Sequence, residues 1–220
     1  MEGIVVINKS GGMTSHDVVD AVRKKFRMRR VGHAGTLDPM ATGVLIILVG
    51  KATKLFDKFV AFEKAYRATL ILGTRTDTAD TQGKIISQKP FDQIVDPQIH
   101  EAFERFVGEI DQVPPMVSAV KMGGKKLYEL ARAGIEVERM PRRIKINALT
   151  VERINKPEVQ FYLECSKGTY VRQLAEDVGE VLACGACISQ IERTKVGEFT
   201  IDNAVRLEDL NESHLRHWPG

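Results

Sequence analysis

The sequence predicts an α+β fold, a mixed and largely antiparallel central sheet flanked by helices. Three observations lead to this. Strand-like and helix-like stretches follow one another without the strict alternation that builds a parallel sheet. Runs at 64–72, 144–154 and 159–166 alternate with the period of two of half-buried strands. Apolar residues spaced three or four apart from Val18, Ile99 and Val171 onward mark helices with one inward face. The 220 residues, 43% hydrophobic and 28% charged, suffice for one large globular domain or two small ones. No apolar run approaches the length of a membrane span, and the start lacks the basic region of a signal peptide. Three cysteines fit no disulfide framework and place the chain in a reducing cytoplasm.

Taken in order, residues 3–8 form a short apolar strand ending at Lys9. Thr14-Ser15-His16-Asp17 has the pattern of a capping box, and Val18, Val22 and Phe26 give the following helix its buried face. Arg23, Lys24, Lys25, Arg27, Arg29 and Arg30 form a charge run, either a solvated face or a phosphate contact. The stretch 31–44 follows, on which the chain is organised. Gly32, Gly35 and Gly43 let its backbone turn sharply, and Asp38 is biased toward an extended conformation by Pro39. Residues 44–49 are an apolar run long enough for one buried strand, so a single carboxylate sits on a glycine-rich loop anchored to the core. Gly50-Lys51-Ala52-Thr53 is no phosphate loop, because the spacing from Gly43 is wrong and Ala52 stands where a hydroxyl is needed.

Residues 51–62 read as an amphipathic helix burying Leu55, Phe56, Phe59 and Val60. In the strand at 64–72, Tyr66, Ala68, Leu70 and Leu72 share a face. The polar segment 74–83, with Asp77 and Asp80, reads as a solvated turn. Asp96-Pro97 opens a helix with Ile99, Ala102, Phe103 and Phe106 inward. From Val113 the texture changes. Lys121, Lys125, Lys126, Arg132, Arg139, Arg142, Arg143 and Lys145 crowd one segment with few acids, a protruding lobe suited to a phosphate backbone. Residues 127–133 are expected to form a short helix ended by Gly134. The strands at 144–154 and 159–166 are joined through a turn at 155–157, and a helix at 169–182 carries the stripe Val171, Leu174, Ala175 and Val178. Gly197 marks a turn before a last short strand, and residues 206–215 are expected to form a closing helix.

Most catalytic constellations are missing. Cys184 and Cys187 form a lone C-x-x-C without a second pair, and the five histidines do not fall at ligand spacing, so neither metal nor redox chemistry is indicated. What remains is the loop carboxylate Asp38, the strand tyrosine Tyr66, the helix-start arginine Arg172 and basic surface. That set suits a cofactor-free reaction with a carboxylate nucleophile. Such a carboxylate must be ionised, and an arginine at salt-bridge distance lowers its pKa by about 1–3 units. Spacing alone leaves Arg172 either beside Asp38 or at a helix terminus on the surface.

The wording of the motifs adds more. Gly-Thr-Leu-Asp-Pro-x-Ala-x-Gly-Val-Leu around Asp38 resembles the signature of the tRNA pseudouridine-55 synthases, the TruB family of pseudouridine synthases. Further motifs agree in order: Lys64-Ala-Tyr-Arg-Ala68, Leu72-Gly-Thr-Arg-Thr-Asp-Thr78, Gln112-Val-Pro-Pro-Met-Val-Ser-Ala-Val-Lys121, Cys165-Ser-Lys-Gly-Thr-Tyr-Val-Arg172 and Arg193-Thr-Lys-Val-Gly197. The resemblance implies a pseudouridine synthase catalytic domain over 1–220 with a basic RNA-gripping insertion at about 113–143. It implies a cofactor-free isomerisation of the T-loop uridine, position 55, with that base flipped out of the loop. By the same resemblance Asp38 is the nucleophile, paired with Arg172. Tyr66 stacks on the flipped uracil and helps in proton removal. His33 packs where displaced bases leave the loop, Tyr170 and Ile191 line the uracil pocket, and Lys9 lies near the site. Lys125, Lys126, Arg142 and Arg143 are expected on the RNA backbone. The implied partner is the tRNA T-arm stem-loop, with no membrane, no required protein partner and a monomeric enzyme.

Three departures stand out. Ser10 follows Lys9 where the family usually has proline, Cys187 stands where histidine is common, and the small C-terminal RNA-binding domain that many relatives carry is not expected within the 220 residues, either naturally or through truncation. Two other functions compete: an RNA-binding or tRNA-folding module with secondary or lost catalysis, and a synthase working inside a guide-RNA complex.

Overall fold

The computed structural model describes residues 1–116, 121–122, 125–126, 135 and 137–218, with the backbone alone at 121, 122, 125 and 126. In chain order it shows β1 (Gly3–Lys9), α1 (Ser15–Phe26), β2 (Val31–Ala34), β3 (Thr42–Val49), a 3-10 segment (Gly50–Leu55), α2 (Phe56–Val60) and β4 (Lys64–Leu72). There follow β5 (Thr74–Thr76), β6 (Ile85–Gln88), α3 (Asp96–Glu104), β7 (Gly108–Gln112), β8 (Lys121–Met122) and β9 (Lys125–Lys126). The last are β10 (Arg142–Asn155), β11 (Glu158–Cys165), α4 (Val171–Val181), β12 (Ala186–Val196), β13 (Phe199–Thr200) and β14 (Val205–Arg206). The expected helix at 127–133 lies outside the described residues. The chain divides into two compact units, Met1–Arg67 with Gln190–Gly220, and Ala68–Ser189.

In the first unit β3 is the central strand. It pairs antiparallel with β1 on one edge, and on the other with β2 antiparallel and with β12 in parallel at Thr42 and Gly43. β14 adds to β1 in parallel. Ile4, Val6, Val44, Ile46 and Leu48 bury one face against Ala52, Phe59, Val196 and Phe199. Trp218 closes that cluster, its ring 5.3 Å from Phe59 and 5.4 Å from Phe199. Val5, Ile7, Leu45 and Ile47 are also buried, so the strand pair is covered on both faces, as its unbroken apolar run requires. The start of α1 is the expected capping box: Asp17 N–H donates to Thr14 Oγ1 at 3.1 Å and Thr14 N–H to Asp17 Oδ2 at 2.7 Å. Val18, Val22 and Phe26 are buried.

The second unit has neighbours in the order β4, β11, β10, β7, with β10 antiparallel to both β11 and β7. Ile99, Ala102 and Phe103 of α3 are buried, and the Phe103 ring lies 5.1 Å from that of Phe161 on β11. The stripe Val171, Leu174, Ala175 and Val178 on α4 is buried as expected. The paired strands are mixed and mainly antiparallel, in agreement with the α+β expectation.

Three expectations give way. The helix at 51–62 is a 3-10 segment followed by the five-residue α2, and Phe56 is exposed. The Thr53 hydroxyl donates to the Gly50 carbonyl at 2.9 Å, a side-chain bond that competes with the α-helical ladder. There is no closing helix at 206–215. Ile7 and Asn8 of β1 pair with Val205 and Arg206, and Ile4 bridges to Arg216, so the segment is tied at both ends and only one 3-10 turn fits between. The polar segment after Gly73 is not a bare turn, since β5 and β6 pair across it and Asp80 is buried.

Candidate active site

Asp38 stands on the loop between β2 and β3, and four side- and main-chain clamps fix that loop in the first unit. Ser15, the first residue of α1, donates its hydroxyl to the Leu37 carbonyl at 3.0 Å and accepts from the Leu37 N–H at 2.8 Å. Lys9, at the end of β1, donates from Nζ to the carbonyls of Ser10 at 2.9 Å, Met13 at 2.7 Å and Pro39 at 3.3 Å. The residues on both sides of Asp38 are thus held. Within the loop Ala41 N–H donates to the Asp38 carbonyl at 3.1 Å, and Gly12 N–H to the Pro39 carbonyl at 2.8 Å. The fourth clamp is Arg193 on β12. Its Nε donates to the Val44 carbonyl at 2.7 Å, and Nη2 and Nη1 reach the Gly35 and Thr36 carbonyls at 3.0 and 3.4 Å. Gly43 adopts φ +98°, and a Cβ there would lie 2.3 Å from the Arg193 carbonyl, so only glycine permits this close crossing.

Two buried cations hold the half-buried Asp38 loop. Lys9 is fully buried, and Arg193 is only 1% exposed. Burial pulls the Lys9 ammonium down to about 8; Asp38 and Asp17 oppose the shift and Arg193 adds to it. Three N–H groups of a charged ammonium match the three carbonyls around it. Arg193 forms no ion pair among the described residues; its bonds go to carbonyl oxygens. A buried cation costs several kcal/mol in desolvation, about what well-made charge-assisted bonds can offset. His33 on β2 is held below its usual value by burial first and then by Arg193 and His16, and its buried Nδ1 has no hydrogen-bond partner. It is a neutral imidazole at pH 7 with one free polar atom. Tyr66 on β4 and Ile191 on β12, 7% and 6% exposed, belong to the same unit.

The second unit holds Arg172, the second residue of α4, 3% exposed. Its Nη1 donates to the Thr78 carbonyl at 2.7 Å and lies 3.8 Å from Asp80 Oδ2. Asp80 in turn accepts from the Thr78 hydroxyl at 2.7 Å and the Gln82 N–H at 3.0 Å. Tyr170, just before α4, is fixed through its backbone by buried Gln112, which accepts from its N–H at 2.8 Å and donates to its carbonyl at 3.1 Å. Arg142 and Arg143 are exposed at the start of β10; Arg143 lies 3.1 Å from Glu109 and 3.6 Å from Asp111 on β7. The side chains of Lys125 and Lys126 lie outside the described residues.

Arg193 and Ser15 enter the sequence reading only as members of motifs, with no role in the site, and Asp80 reads there as part of a solvated turn. Arg193 carried a usable signal: it falls two residues after apolar Ile191 in an alternating strand, hence on the same buried face. Among the described residues no group of three His, Cys, Asp or Glu could hold a metal ion. Burial raises the Cys184 and Cys187 thiols, the latter to about 11, so both are protonated at neutral pH.

Residues 23–171 match the family model described as "TruB family pseudouridylate synthase (N terminal domain)", and 172–217 match "tRNA pseudouridylate synthase B C-terminal domain". A protein named tRNA pseudouridine synthase B from Geotalea uraniireducens is 49% identical over 209 residues, 95% of this chain and 67% of the relative. Another so named, from Alkaliphilus oremlandii, is 50% identical over 96% of this chain and 70% of its own. Among solved structures, a chain of a Cbf5-Nop10-Gar1 complex superposes with a TM-score of 0.75 at 30% identity, over 94% of this chain. A chain of an H/ACA RNP bound to a substrate RNA containing 2'-deoxyuridine gives 0.70 at 26% identity, again over 94%. The chain spans about half the length of these two solved chains, 53% and 52%.

Proposed function

The chain belongs to the TruB family of pseudouridylate synthases, and we propose that it converts uridine 55 in the T-loop of tRNA to pseudouridine. In this isomerisation the N1–ribose bond breaks, the uracil turns, a bond forms from C5 to the same ribose carbon, and the C5 proton leaves as N1 gains one. No atom is lost overall and no cofactor is required. The observation that carries the reading is the immobilised Asp38 loop over two buried cations. A carboxylate so held is fixed in place before substrate arrives, and attack on either ribose or base requires a positioned nucleophile.

The other residues take roles consistent with their settings. Tyr66, presented from a strand and nearly buried, stacks on the extruded uracil and helps remove its proton, while Ile191 and Tyr170 line the base pocket. His33, neutral and with Nδ1 unpartnered, meets the bases displaced from the loop. Lys9 supports the Asp38 loop. Arg172, which the resemblance pairs with Asp38, brings a guanidinium already oriented by Thr78 and Asp80. Extruding the base costs a few kcal/mol, and stacking on an aromatic ring returns about 1–3 kcal/mol. The chain works as one catalytic domain and as a monomer in the cytoplasm, without a guide RNA or protein partner. Its segment at about 113–143, with Lys125, Lys126, Arg142 and Arg143, grips the T-arm backbone.

The test is pseudouridine formation in an unmodified T-arm stem-loop, with wild type beside Asp38→Asn. Product from wild type alone, with both proteins binding the RNA equally, is the expected result. Comparable turnover by Asp38→Asn removes the nucleophile assignment. Binding without product from either protein replaces the enzyme by an RNA-binding module.

A further inference from the structure

We propose that Arg193 is the positioning residue of the reaction, a single guanidinium that staples the two ends of the Asp38 loop and so sets where the carboxylate stands. The inference rests on the assignment of Asp38 above. Arg193 touches no carboxylate among the described residues and is too deeply buried to meet substrate by itself, at 1% exposure. Its three nitrogens each donate to a carbonyl on the flanks of Asp38: Gly35 and Thr36 before it, Val44 after it. These flanks belong to different elements, the exit of β2 and the entry of β3. The fork meets them from three separately placed nitrogens, whereas an ammonium donates from a single atom. The parallel pairing of Arg193 with Gly43 fixes the root of the side chain against the same loop, and an added Cβ at Gly35 would sit 3.6 Å from Nη1.

A buried arginine could equally be satisfied by three carbonyls at random places in a core. Here all three lie within ten residues of one another and bracket one carboxylate. The same guanidinium raises the local potential, as its effects on Lys9 and His33 show. Removing it therefore displaces Asp38 and weakens the field around it, while leaving the RNA-binding surface untouched. A displacement of the order of 1 Å in a reacting group costs about 100-fold in rate.

The experiment compares wild type, Arg193→Met, Arg193→Lys and Asp38→Asn in single-turnover assays at saturating T-arm RNA. RNA affinity, thermal unfolding and amide hydrogen exchange are followed alongside. Arg193→Met is expected to lose about 100-fold in rate with its RNA Kd changed by less than about threefold. Arg193→Lys, which keeps the charge but not the fork, is expected to recover about tenfold of that loss. In Arg193→Lys the Leu37 and Ala41 amides exchange at least about tenfold faster, while those of β1 keep their protection. A wild-type rate in Arg193→Met, or rate and affinity falling together, overturns the proposal. Unchanged loop exchange, or failure of both variants to fold, also overturns it, the last by assigning Arg193 to the core alone. Inactive wild type, or active Asp38→Asn, instead defeats the functional reading, and loop exchange still decides whether Arg193 positions the loop.

Discussion

Lys9 shows how much a single residue reports. Its side chain is fully buried, yet the residue pattern marks it as the polar end of an apolar strand and the resemblance places it only near the site. The three carbonyls that receive its protons come from Ser10, Met13 and Pro39, and a neutral amine has only two N–H groups for them. Burial lowers its pKa from 10.5 to about 8, against the pull of Asp38 and Asp17 and with the push of Arg193. The unfolded chain therefore binds more protons than the folded one between about pH 8 and 10.5. Across that window the cost of the buried ammonium is relieved, and this residue's contribution to stability rises with pH. Lys9→Met has no such proton to lose. Wild type should gain about 2–3 kcal/mol on Lys9→Met between pH 7.5 and pH 10.5, read from urea unfolding of both proteins. A constant difference across the window would mean that Lys9 keeps an ordinary pKa in the fold. Asp80 gives the complementary lesson. Thr-Asp-Thr-Ala-Asp-Thr-Gln-Gly is turn chemistry by every local rule, and it does turn, but Arg172, ninety-two positions away, is what makes a buried carboxylate tolerable.

At the scale of elements, legibility followed length and period. The capping box of α1, the long strands β10 and β11, and the stripe of α4 were all readable, because each repeats its signal several times. Most elements of five residues or fewer were not, although the turn at Gly197 did announce the two-residue β13. α2 and the Glu212–His214 turn are decided by one side-chain bond or by a neighbouring strand edge, which no local pattern encodes. Phe56 obeys the helical spacing and is nevertheless exposed, because the helix that would bury it lasts one turn. Gly179 illustrates a contact between elements that spacing hides. It lies inside α4, where glycine is unfavourable, yet a Cβ there would be 2.2 Å from the Ala186 N at the start of β12. The helix therefore approaches the strand backbone closer than any other residue allows. Gly179→Ala, stabilising in an exposed helix, is expected to destabilise this protein by about 2–3 kcal/mol, lowering Tm by roughly 4–12 °C. A higher Tm in the variant would show that α4 can move off the strand without loss.

For the whole molecule, a net charge of +3 says little, and the placement of charge says more. The sequence treats Arg142 and Arg143 as equal members of one basic segment. The structure separates them. Arg143 faces Glu109 and Asp111 across the β10–β7 pairing, so much of its field is met locally, whereas Arg142 is exposed and forms no ion pair among the described residues. Both acids are themselves exposed, so these pairs hold little stabilising energy and act chiefly by cancelling charge. A phosphate backbone gains counterion release only from cations that are free to meet it. Arg142→Gln is therefore expected to flatten the dependence of log Kd on log salt by about 0.7–0.9, one phosphate contact, in T-arm RNA binding. Arg143→Gln should change that slope by less than half as much. Glu109→Gln with Asp111→Asn in the wild-type background should steepen it, since Arg143 then loses both of its local partners. Equal slopes for Arg142→Gln and Arg143→Gln would mean that RNA breaks the Arg143 pairs on binding, and no change in either would take this end of β10 out of the RNA interface.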